Sequence, residues 1–285
     1  MFPIVAGLAG IGIVLLLAAL TYARLRSTYR LDSVWARLWT RSPWLAERIS
    51  APHGAPEPLK RYVGWVAPDA ATTETVAEVR FQVSAPLLRD MLPAGRYLAV
   101  LAMPEGAMLR WRASAGRMPV SGVACLDAGR WVRNEWLFGL VSSRRGRQAD
   151  AAAEAVDGAA AAMLLAACWA PASLIRDGKA RWTLEGDMTL STQLIEVPGQ
   201  PAVAIRLMPD GQPAEISVSA QRGTDRVELR ATLSDFELFD GYRLPRRLSV
   251  TDAAPGANPS IVTLQSVRFP GPWANRFSVE TQAHA

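Results

Sequence analysis

The fold of this chain is decided by the stretch RVELRATLSDFELFDGYRLPRRLSV, residues 226–250. Its first part alternates apolar and polar residues from Val227 to Leu233, which predicts a strand with one buried face. The pair Asp240-Gly241 then separates this run from a second apolar-rich run. Asp-Gly suits a tight turn because Gly adopts positive φ without steric cost. The stretch therefore predicts an antiparallel β-hairpin.

Comparable runs, separated by short turns, recur on both sides of this hairpin. Pro104-Glu-Gly106, Asp127-Ala-Gly129 and Pro209-Asp-Gly-Gln212 are the clearest of those turns. Roughly ten strands at even spacing predict a large antiparallel sheet. The predicted strands cover residues 79–83, 97–103, 107–113, 120–126, 131–138, 182–196, 202–208, 214–221, 226–233, 243–251 and 261–269.

One long helix is predicted between these strands, from Gln148 to Ala170. The segment is rich in Ala, and Pro171 cannot continue it. Its second half, 159–169, is apolar almost all round but too short to cross a bilayer, so we expect it to be buried against the sheet. The fold class is therefore α+β.

Residues 4–23 carry no charge and would span about 30 Å as a helix, the thickness of a bilayer's hydrocarbon core. We interpret residues 1–23 as a transmembrane helix. A cleaved signal peptide is the alternative, but no basic residue precedes the apolar run. Basic residues follow the run, which predicts that the C-terminal part lies in the cytoplasm.

Residues 24–48 contain six arginines against Asp32 and Glu47, so most of the chain's net charge of +5 lies there. This location argues against a nucleic-acid-binding groove on the folded domain. Trp35, Leu38 and Trp39 share one face of a predicted helix. We expect a basic amphipathic helix at the membrane interface; an amphipathic helix packed on the domain is an equal alternative. The predicted interface residues are Arg24, Arg26, Arg30, Trp35 and Trp39.

The remaining organisation follows from composition. Residues 49–58 contain three Pro and one Gly and are predicted to form a linker. Residues 59–277 are long enough for one sizeable β domain, and 278–285 form a tail. Cys125 and Cys168 follow no spacing pattern; we interpret them as two buried thiols, although one disulfide is possible in an oxidising compartment.

Several motifs together resemble those of bacterial lipoprotein-carrier-like proteins (LolA/LolB-like half-barrels) and a group of uncharacterised bacterial membrane-associated proteins. These motifs are Arg61-Tyr62, Trp169-Ala-Pro171, Asp210-Gly211 and the hairpin with Asp240-Gly241 and Leu244-Pro245. The resemblance implies a curled antiparallel sheet, a half-barrel, whose concave face is covered by helices around an apolar cavity that holds acyl chains. The predicted transmembrane helix, which the soluble carriers lack, makes this a single-pass protein of the bacterial inner membrane, and the resemblance favours the periplasmic side as the alternative to the cytoplasmic one.

The sequence offers few residues that are suited to catalysis or to metal binding. The two histidines, His53 and His284, lie in the predicted linker and tail, where no fold holds a base rigidly. Asp235 and Glu237 could act as paired carboxylates of a hydrolase, but a solvated strand face explains them better. We therefore expect no enzyme, no catalytic residues, no metal site and no cofactor.

The leading hypothesis is a membrane-anchored, non-catalytic binding protein that holds an apolar ligand, lipid or lipidated protein in the half-barrel. Its partners would be membrane lipid and a lipidated or membrane protein, but not nucleic acid. The alternatives are a protein-interaction scaffold at the membrane and the hydrolase just described. Aromatic and sulfur side chains are the candidate lining of the pocket: Trp111, Trp131, Trp136, Met163, Trp169 and Trp182.

Overall fold

The structure is a computed structural model of the 285-residue chain. It describes residues 11, 14–22, 25, 32–39, 49–69, 75–87, 91–115, 118–138, 141–142, 151–175, 181–194, 197–252 and 258–269. The named elements are the helices α1 (Glu57–Val66), α2 (Ala151–Trp169) and α3 (Pro171–Ile175), and the strands β1 (Ala77–Val83), β2 (Gly95–Ala102), β3 (Gly106–Ala115), β4 (Met118–Asp127), β5 (Arg130–Leu137), β6 (Val141–Ser142), β7 (Thr183–Glu185), β8 (Thr189–Gln193), β9 (Ala202–Leu207), β10 (Pro213–Arg222), β11 (Asp225–Phe239), β12 (Tyr242–Asp252) and β13 (Ser260–Arg268).

The strands form one open sheet in the order β6-β5-β4-β3-β2-β1-β13-β12-β11-β10-β9-β8-β7. All neighbouring pairs are antiparallel. Two meanders, β1–β6 and β7–β13, therefore join through the pairing of β1 with β13. The hairpin predicted from residues 226–250 is confirmed as β11 and β12. Its two turn residues, Asp240 and Gly241, have φ of 47° and 87°, as a tight hairpin turn requires.

The predicted number of strands was too low, because thirteen are present in the described part of the chain. The run 182–196, predicted as one strand, forms the hairpin of β7 and β8 around a turn in which Gly186 has a φ of 64°. The two-residue strand β6 was also missed. Its alternation is too short to give a period-2 signal.

Helix α2 lies on the concave face of the sheet and confirms the prediction of one long buried helix. It contacts β2, β4 and β5 of the first meander and β9–β12 of the second. A single helix can contact strands so far apart only if the sheet curls around it. By length and composition, α2 is the one helix among the described residues that could cross a membrane. However, 72% of its most apolar stretch is buried inside the fold. It is therefore the core helix of the domain.

Helix α1 covers the same face, and its start at Glu57 lies inside the predicted linker. Pro56 and Pro58, which suggested a linker, are compatible with a helix because a proline in the first turn lacks only an N–H that would be unpaired there. Leu59, Tyr62 and Val66 are buried from this helix. These two prolines thus mark the start of a helix, and the prediction of a linker up to residue 58 was wrong at its end.

The transmembrane helix predicted over residues 1–23 is not supported by the structure. Residues 1–10, 12, 13 and 23 lie outside the described part of the chain. Residues 14–22 are helical, and large apolar side chains among them are exposed. The predicted tail, 278–285, also lies outside the described residues.

The opposite, outer face of the sheet carries a second, smaller apolar cluster on β2, β3 and β4. The helical segment 32–39 covers it and buries Leu38 to 1% exposure. The buried members of this outer cluster are Leu38, Val76, Val100, Ala102, Met108, Val123 and Cys125.

Both cysteines are buried and free, which confirms their interpretation as thiols. Cys125 belongs to the outer cluster, whereas Cys168 lies on α2 in the main core. The sheet thus separates the two thiols.

Candidate functional site

A small apolar cavity lies between α2 and the middle of the curled sheet. Its volume is about 10 Å³, close to the space that one water molecule occupies. Every lining residue is aliphatic or aromatic, and none of the described carboxylates or basic groups lines the cavity. The lining consists of Phe81, Val83, Leu87, Leu92, Ala161, Leu164, Leu165, Leu229, Val250 and Val262.

The periodicities of the strands and of the helix build this cavity. Alternation along β1 points Phe81 and Val83 to the concave face. On α2, Ala161, Leu164 and Leu165 are spaced i, i+3 and i+4 and share one helical face. The facing positions of β11, β12 and β13 contribute the remaining sheet residues. Leu87 and Leu92, joined by an isolated bridge with hydrogen bonds of 3.0 and 3.2 Å, lie beyond the end of β1.

The predicted pocket residues Met163 and Trp169 are both fully buried on α2, and neither lines the cavity. Trp169 Nε1 donates a hydrogen bond of 2.9 Å to the Pro245 carbonyl, so this indole fixes the end of α2 to β12. Its ring centroid lies 5.1 Å from that of Phe81. Trp169 therefore supports one wall of the cavity from behind.

Trp111 and Trp131 lie on the concave face, away from the cavity, and pack over glycines. A Cβ atom at Gly122 would overlap the ring of Trp111, and one at Gly158 would overlap the ring of Trp131. Both indole Nε1 atoms are buried without a hydrogen-bond partner among the described residues. Trp131 therefore lies against α2 at Gly158, whereas Trp111 lies against the neighbouring strand β4 at Gly122.

The other two predicted pocket residues do not line the cavity either. Trp136 is on the outer face, where it packs against the outer cluster. Trp182 precedes β7 and donates a hydrogen bond of 3.2 Å to the Leu174 carbonyl. The six predicted residues thus occupy core and outer positions. The actual lining is mostly aliphatic, and the alternation in β1 and the i, i+3, i+4 spacing in α2 were the signals that could have indicated it.

Ion pairs hold the first half of α2 to both meanders. Glu154 lies 3.9 Å from Arg133 of β5, whose guanidinium also bonds Glu135 and lies 5.3 Å from the ring centroid of Trp111. Asp157 accepts two hydrogen bonds of 3.0 Å from Arg222 at the end of β10. The apolar middle of α2 is therefore flanked by polar attachments.

The predicted membrane-interface residues fall into two groups. Arg24, Arg26 and Arg30 lie outside the described residues. Trp35 and Trp39 are half-buried and pack against the outer cluster, as the alternative of a helix packed on the domain requires.

Two ion pairs hold the segment 32–39 in this position. Arg37 bonds Asp127 at 2.7 Å, and Asp32 pairs with Arg110. The Arg110 guanidinium also lies 4.8 Å from the ring centroid of Trp35.

The suggested carboxylate pair does not form a site. Asp235 and Glu237 are exposed, and Glu237 pairs with Arg246 at 2.9 Å. Asp235 has a φ of 56°, which interrupts the regular strand geometry between the two side chains. Over the described ranges, no group of three or more His, Cys, Asp or Glu residues is placed to hold a metal ion.

No protein-family model and no curated protein matches the chain. Among solved structures, the chain is similar to a LolA superfamily protein from Nitrosomonas europaea, with 13% identity, a TM-score of 0.37, and coverage of 78% of this chain and 94% of that one. It is also similar to a domain named for outer-membrane lipoprotein sorting from Vibrio parahaemolyticus, with 11% identity, a TM-score of 0.36, and coverage of 79% and 94%. Both neighbours are of the class that the sequence motifs resemble.

Proposed function

We propose that this chain binds an apolar ligand, a lipid or the acyl group of a lipidated protein, on the concave face of its sheet, without catalysis. The observation that carries the proposal is the cavity beside α2, whose ten lining residues are all apolar. A hydrocarbon chain gains about 0.8 kcal/mol for each methylene it transfers from water to such surroundings.

Binding requires that the cavity widen, because about 10 Å³ cannot hold an acyl chain. The middle of α2 is suited to such a shift. Its residues from 159 to 162 are all alanine, so few large side chains interlock with the sheet there. The polar attachments of α2 lie at Glu154, Asp157 and Trp169, outside this stretch. We propose that the ligand separates the middle of α2 from β1 and β11–β13.

We further propose that residues 1–23 attach the chain to a bacterial inner membrane. The support is the row of exposed apolar side chains in the helical residues 14–22, where Val14, Leu15 and Leu16 are 60–65% exposed. Such a surface is costly in water and favourable in lipid. A reporter fused to the C-terminus, active only in the cytoplasm or only in the periplasm, tests on which side the domain lies.

The test of ligand binding uses the full chain and a fatty acid that carries a visible fluorophore. Leu164→Trp fills the cavity and should weaken binding at least tenfold, whereas Leu164→Ala enlarges it and should preserve or strengthen binding. Both substitutions should lower the free energy of unfolding, Leu164→Ala by about 2–5 kcal/mol and Leu164→Trp by about 1–3 kcal/mol. Because both changes are destabilising, weaker binding with Leu164→Trp and undiminished binding with Leu164→Ala cannot both result from misfolding.

The matched control is Ala151→Trp, which places the same indole on an exposed position of α2. It should leave binding unchanged. If neither the unaltered chain nor Leu164→Ala binds the fatty acid, the proposal is wrong.

A protein-interaction scaffold at the membrane is the second candidate. The small volume of the cavity favours it, because a concave face filled by α2 leaves the outer surface as the place for contacts. Crosslinking of the full chain in membranes separates the candidates. A stoichiometric protein partner that is retained with Leu164→Trp would support the scaffold.

A further inference from the structure

Four arginines lie together on the outer face of β1, β2 and β3: Arg80, Arg96, Arg110 and Arg112. We call them the arginine patch. In the sheet register Arg96 is directly opposite Arg112. Arg80 is opposite Leu98, which is opposite Arg110 on its other side. The four side chains therefore project from neighbouring positions of three adjacent strands.

Most of this charge has no carboxylate partner among the residues that the structure describes. Arg80, Arg96 and Arg112 are exposed and form no ion pair with any residue in the described part of the chain. Arg110 alone is paired, with Asp32 of the segment 32–39. The nearest carboxylate on β1, that of Glu78, is 3.9 Å from Arg268 on β13.

The outer face of the second meander is different, since its arginines alternate with acidic partners. Arg230 contacts both Glu228 and Glu215, each at 3.2–3.4 Å, and Arg206 contacts Glu215 at 3.4 Å. The same sheet surface is thus balanced in one half and strongly positive in the other.

Directly opposed like charges destabilise an antiparallel pair, because their Cβ atoms are only about 5 Å apart. The pair Arg96 and Arg112 therefore costs folding free energy that an anionic partner would offset. Several guanidinium groups that project from one face of a sheet suit a surface of phosphates, to which arginine binds through paired hydrogen bonds. An extended anionic surface is the partner that this geometry fits.

The position of the segment 32–39 identifies that surface. Asp32 at its start contacts Arg110 of the arginine patch, and Trp35 stacks on the same guanidinium at 4.8 Å. The exposed apolar helical residues 14–22 end ten positions before Asp32 in the chain. An anchor in that segment would therefore hold the arginine patch close to the lipid headgroups.

We propose that the arginine patch docks on the surface of an anionic bilayer, so that the part of the outer face of β1–β3 that the segment 32–39 leaves uncovered faces the membrane. This proposal rests on the membrane attachment within the proposed function. Each arginine near such a surface contributes about fivefold to the docking equilibrium at moderate ionic strength.

The experiment uses the full chain, labelled at Gln82→Cys with an environment-sensitive fluorophore. Gln82 is exposed and directly opposite Arg96 in the register, and the two native thiols are buried. The chain is mixed with vesicles of phosphatidylcholine, alone or with one third phosphatidylglycerol, that contain a headgroup nitroxide. We expect stronger quenching with phosphatidylglycerol, and loss of that difference at high salt, because salt screens exposed charges.

Arg96→Gln combined with Arg112→Gln should reduce docking about 25-fold, from two arginines at about fivefold each. The matched control, Arg226→Gln with Arg230→Gln, removes the same charge from the exposed outer face of β11 and should leave quenching at residue 82 unchanged. A second label at Thr232→Cys, also exposed on β11, should be quenched less than the label at residue 82.

Flotation of the same samples tests the membrane attachment separately from the docking of the arginine patch. Failure to float on neutral vesicles would count against the membrane attachment, whatever the quenching. Equal quenching with both lipid compositions, or equal quenching at residues 82 and 232, would overturn the docking of the arginine patch. Binding of a polyglutamate peptide through Arg96 and Arg112 without any dependence on lipid charge would assign the patch to an acidic protein and overturn it as well.

Discussion

Asp157 of α2 and Arg222 of β10 form a nearly buried ion pair in which both carboxylate oxygens lie 3.0 Å from one guanidinium nitrogen. Their side chains are 10% and 19% exposed. The pair fixes α2 to the second meander, while Glu154 lies near Arg133 of the first. Because β5 and β10 are far apart in the strand order, the two contacts join the arms of the curled sheet through the helix.

Removal of one partner of this pair should be strongly destabilising. Arg222→Met leaves the Asp157 carboxylate nearly buried without this guanidinium, which should lower the free energy of unfolding by about 3–5 kcal/mol. Asp157→Leu combined with Arg222→Met should recover most of that loss, since neither charge of this pair is then left buried without the other. Urea unfolding of the single and double variants measures both effects.

The pair of Arg206 and Glu215, whose side chains are 54% and 22% exposed, is the more solvated control for this series. Arg206→Gln should change the free energy of unfolding by less than about 1 kcal/mol, because solvent screens the pair. If the double variant at residues 157 and 222 is no more stable than Arg222→Met, the loss of stability does not come from the Asp157 carboxylate that is left without Arg222.

The glycine of α2 under Trp131 gives a second prediction. Gly158→Ala should lower the free energy of unfolding by about 1–3 kcal/mol, although alanine favours helices, because its Cβ would overlap the indole ring. Trp131→Leu should restore part of the loss when combined with Gly158→Ala. Thermal unfolding followed by circular dichroism measures the three variants.

Gly64 is the matched control, since it is exposed on α1 with no atom within 4 Å of an added Cβ. Gly64→Ala should stabilise the chain by about 0.5–1 kcal/mol through its higher helix propensity. A neutral effect of Gly158→Ala would show that Trp131 moves aside without cost.

The docking of the segment 32–39 on the sheet gives a third prediction. Leu38 is 1% exposed, and its Cδ2 atom lies 3.0 Å from the ideal Cβ position of Gly106. Leu38→Ala should lower the free energy of unfolding by about 2–4 kcal/mol. It should also increase amide hydrogen exchange in residues 32–39 and leave exchange in α2 unchanged.

Leu25→Ala is the comparison for this substitution, because Leu25 is 63% exposed. It should have no measurable effect on stability in detergent solution. Unchanged exchange in 32–39 after Leu38→Ala would mean that the ion pairs of Arg37 and Asp32 alone hold the segment.

Local patterns in the sequence were sufficient for most of the sheet and for α2. Neighbouring residues alone were enough to recognise the alternation from Val227 to Leu233 and the turn at Asp240-Gly241. The burial of the apolar run 159–169 could likewise be predicted without knowing which elements pack against it. The division of 182–196 into β7 and β8 was missed because its turn residue Gly186 lies between two short polar strands.

The cavity was harder to predict, because its lining comes from six separate parts of the chain. Phe81, Leu164 and Val262 have no common local signal, and only the curl of the sheet brings them together. The prediction favoured large aromatic side chains, but Trp111 and Trp131 fill space over glycines. Which face of a strand meets the cavity depends on register, and register is a property of the partner strand.

The pH dependence of stability gives the last prediction. Burial raises the pKa of the Cys125 thiol from its ordinary value of 9.0 to about 12, with a smaller contribution in the same direction from Asp127. Burial also raises the pKa of Cys168. Above pH 9.0 an unfolded thiol ionises while the folded thiol keeps its proton, so the unfolded state binds fewer protons and is favoured. The contribution of the thiols to stability should therefore be constant below this pH and fall between it and about pH 12, by up to about 1.4 kcal/mol per pH unit for each thiol.

Cys125→Ala should reduce the slope of this fall, measured as urea midpoints across the alkaline range. A thiol reagent such as Ellman's should leave both cysteines of the folded chain unmodified near neutral pH and modify both in urea. Rapid modification of Cys125 in the folded chain would show that the segment 32–39 leaves the outer cluster in solution, since Leu38 shares that cluster with the thiol.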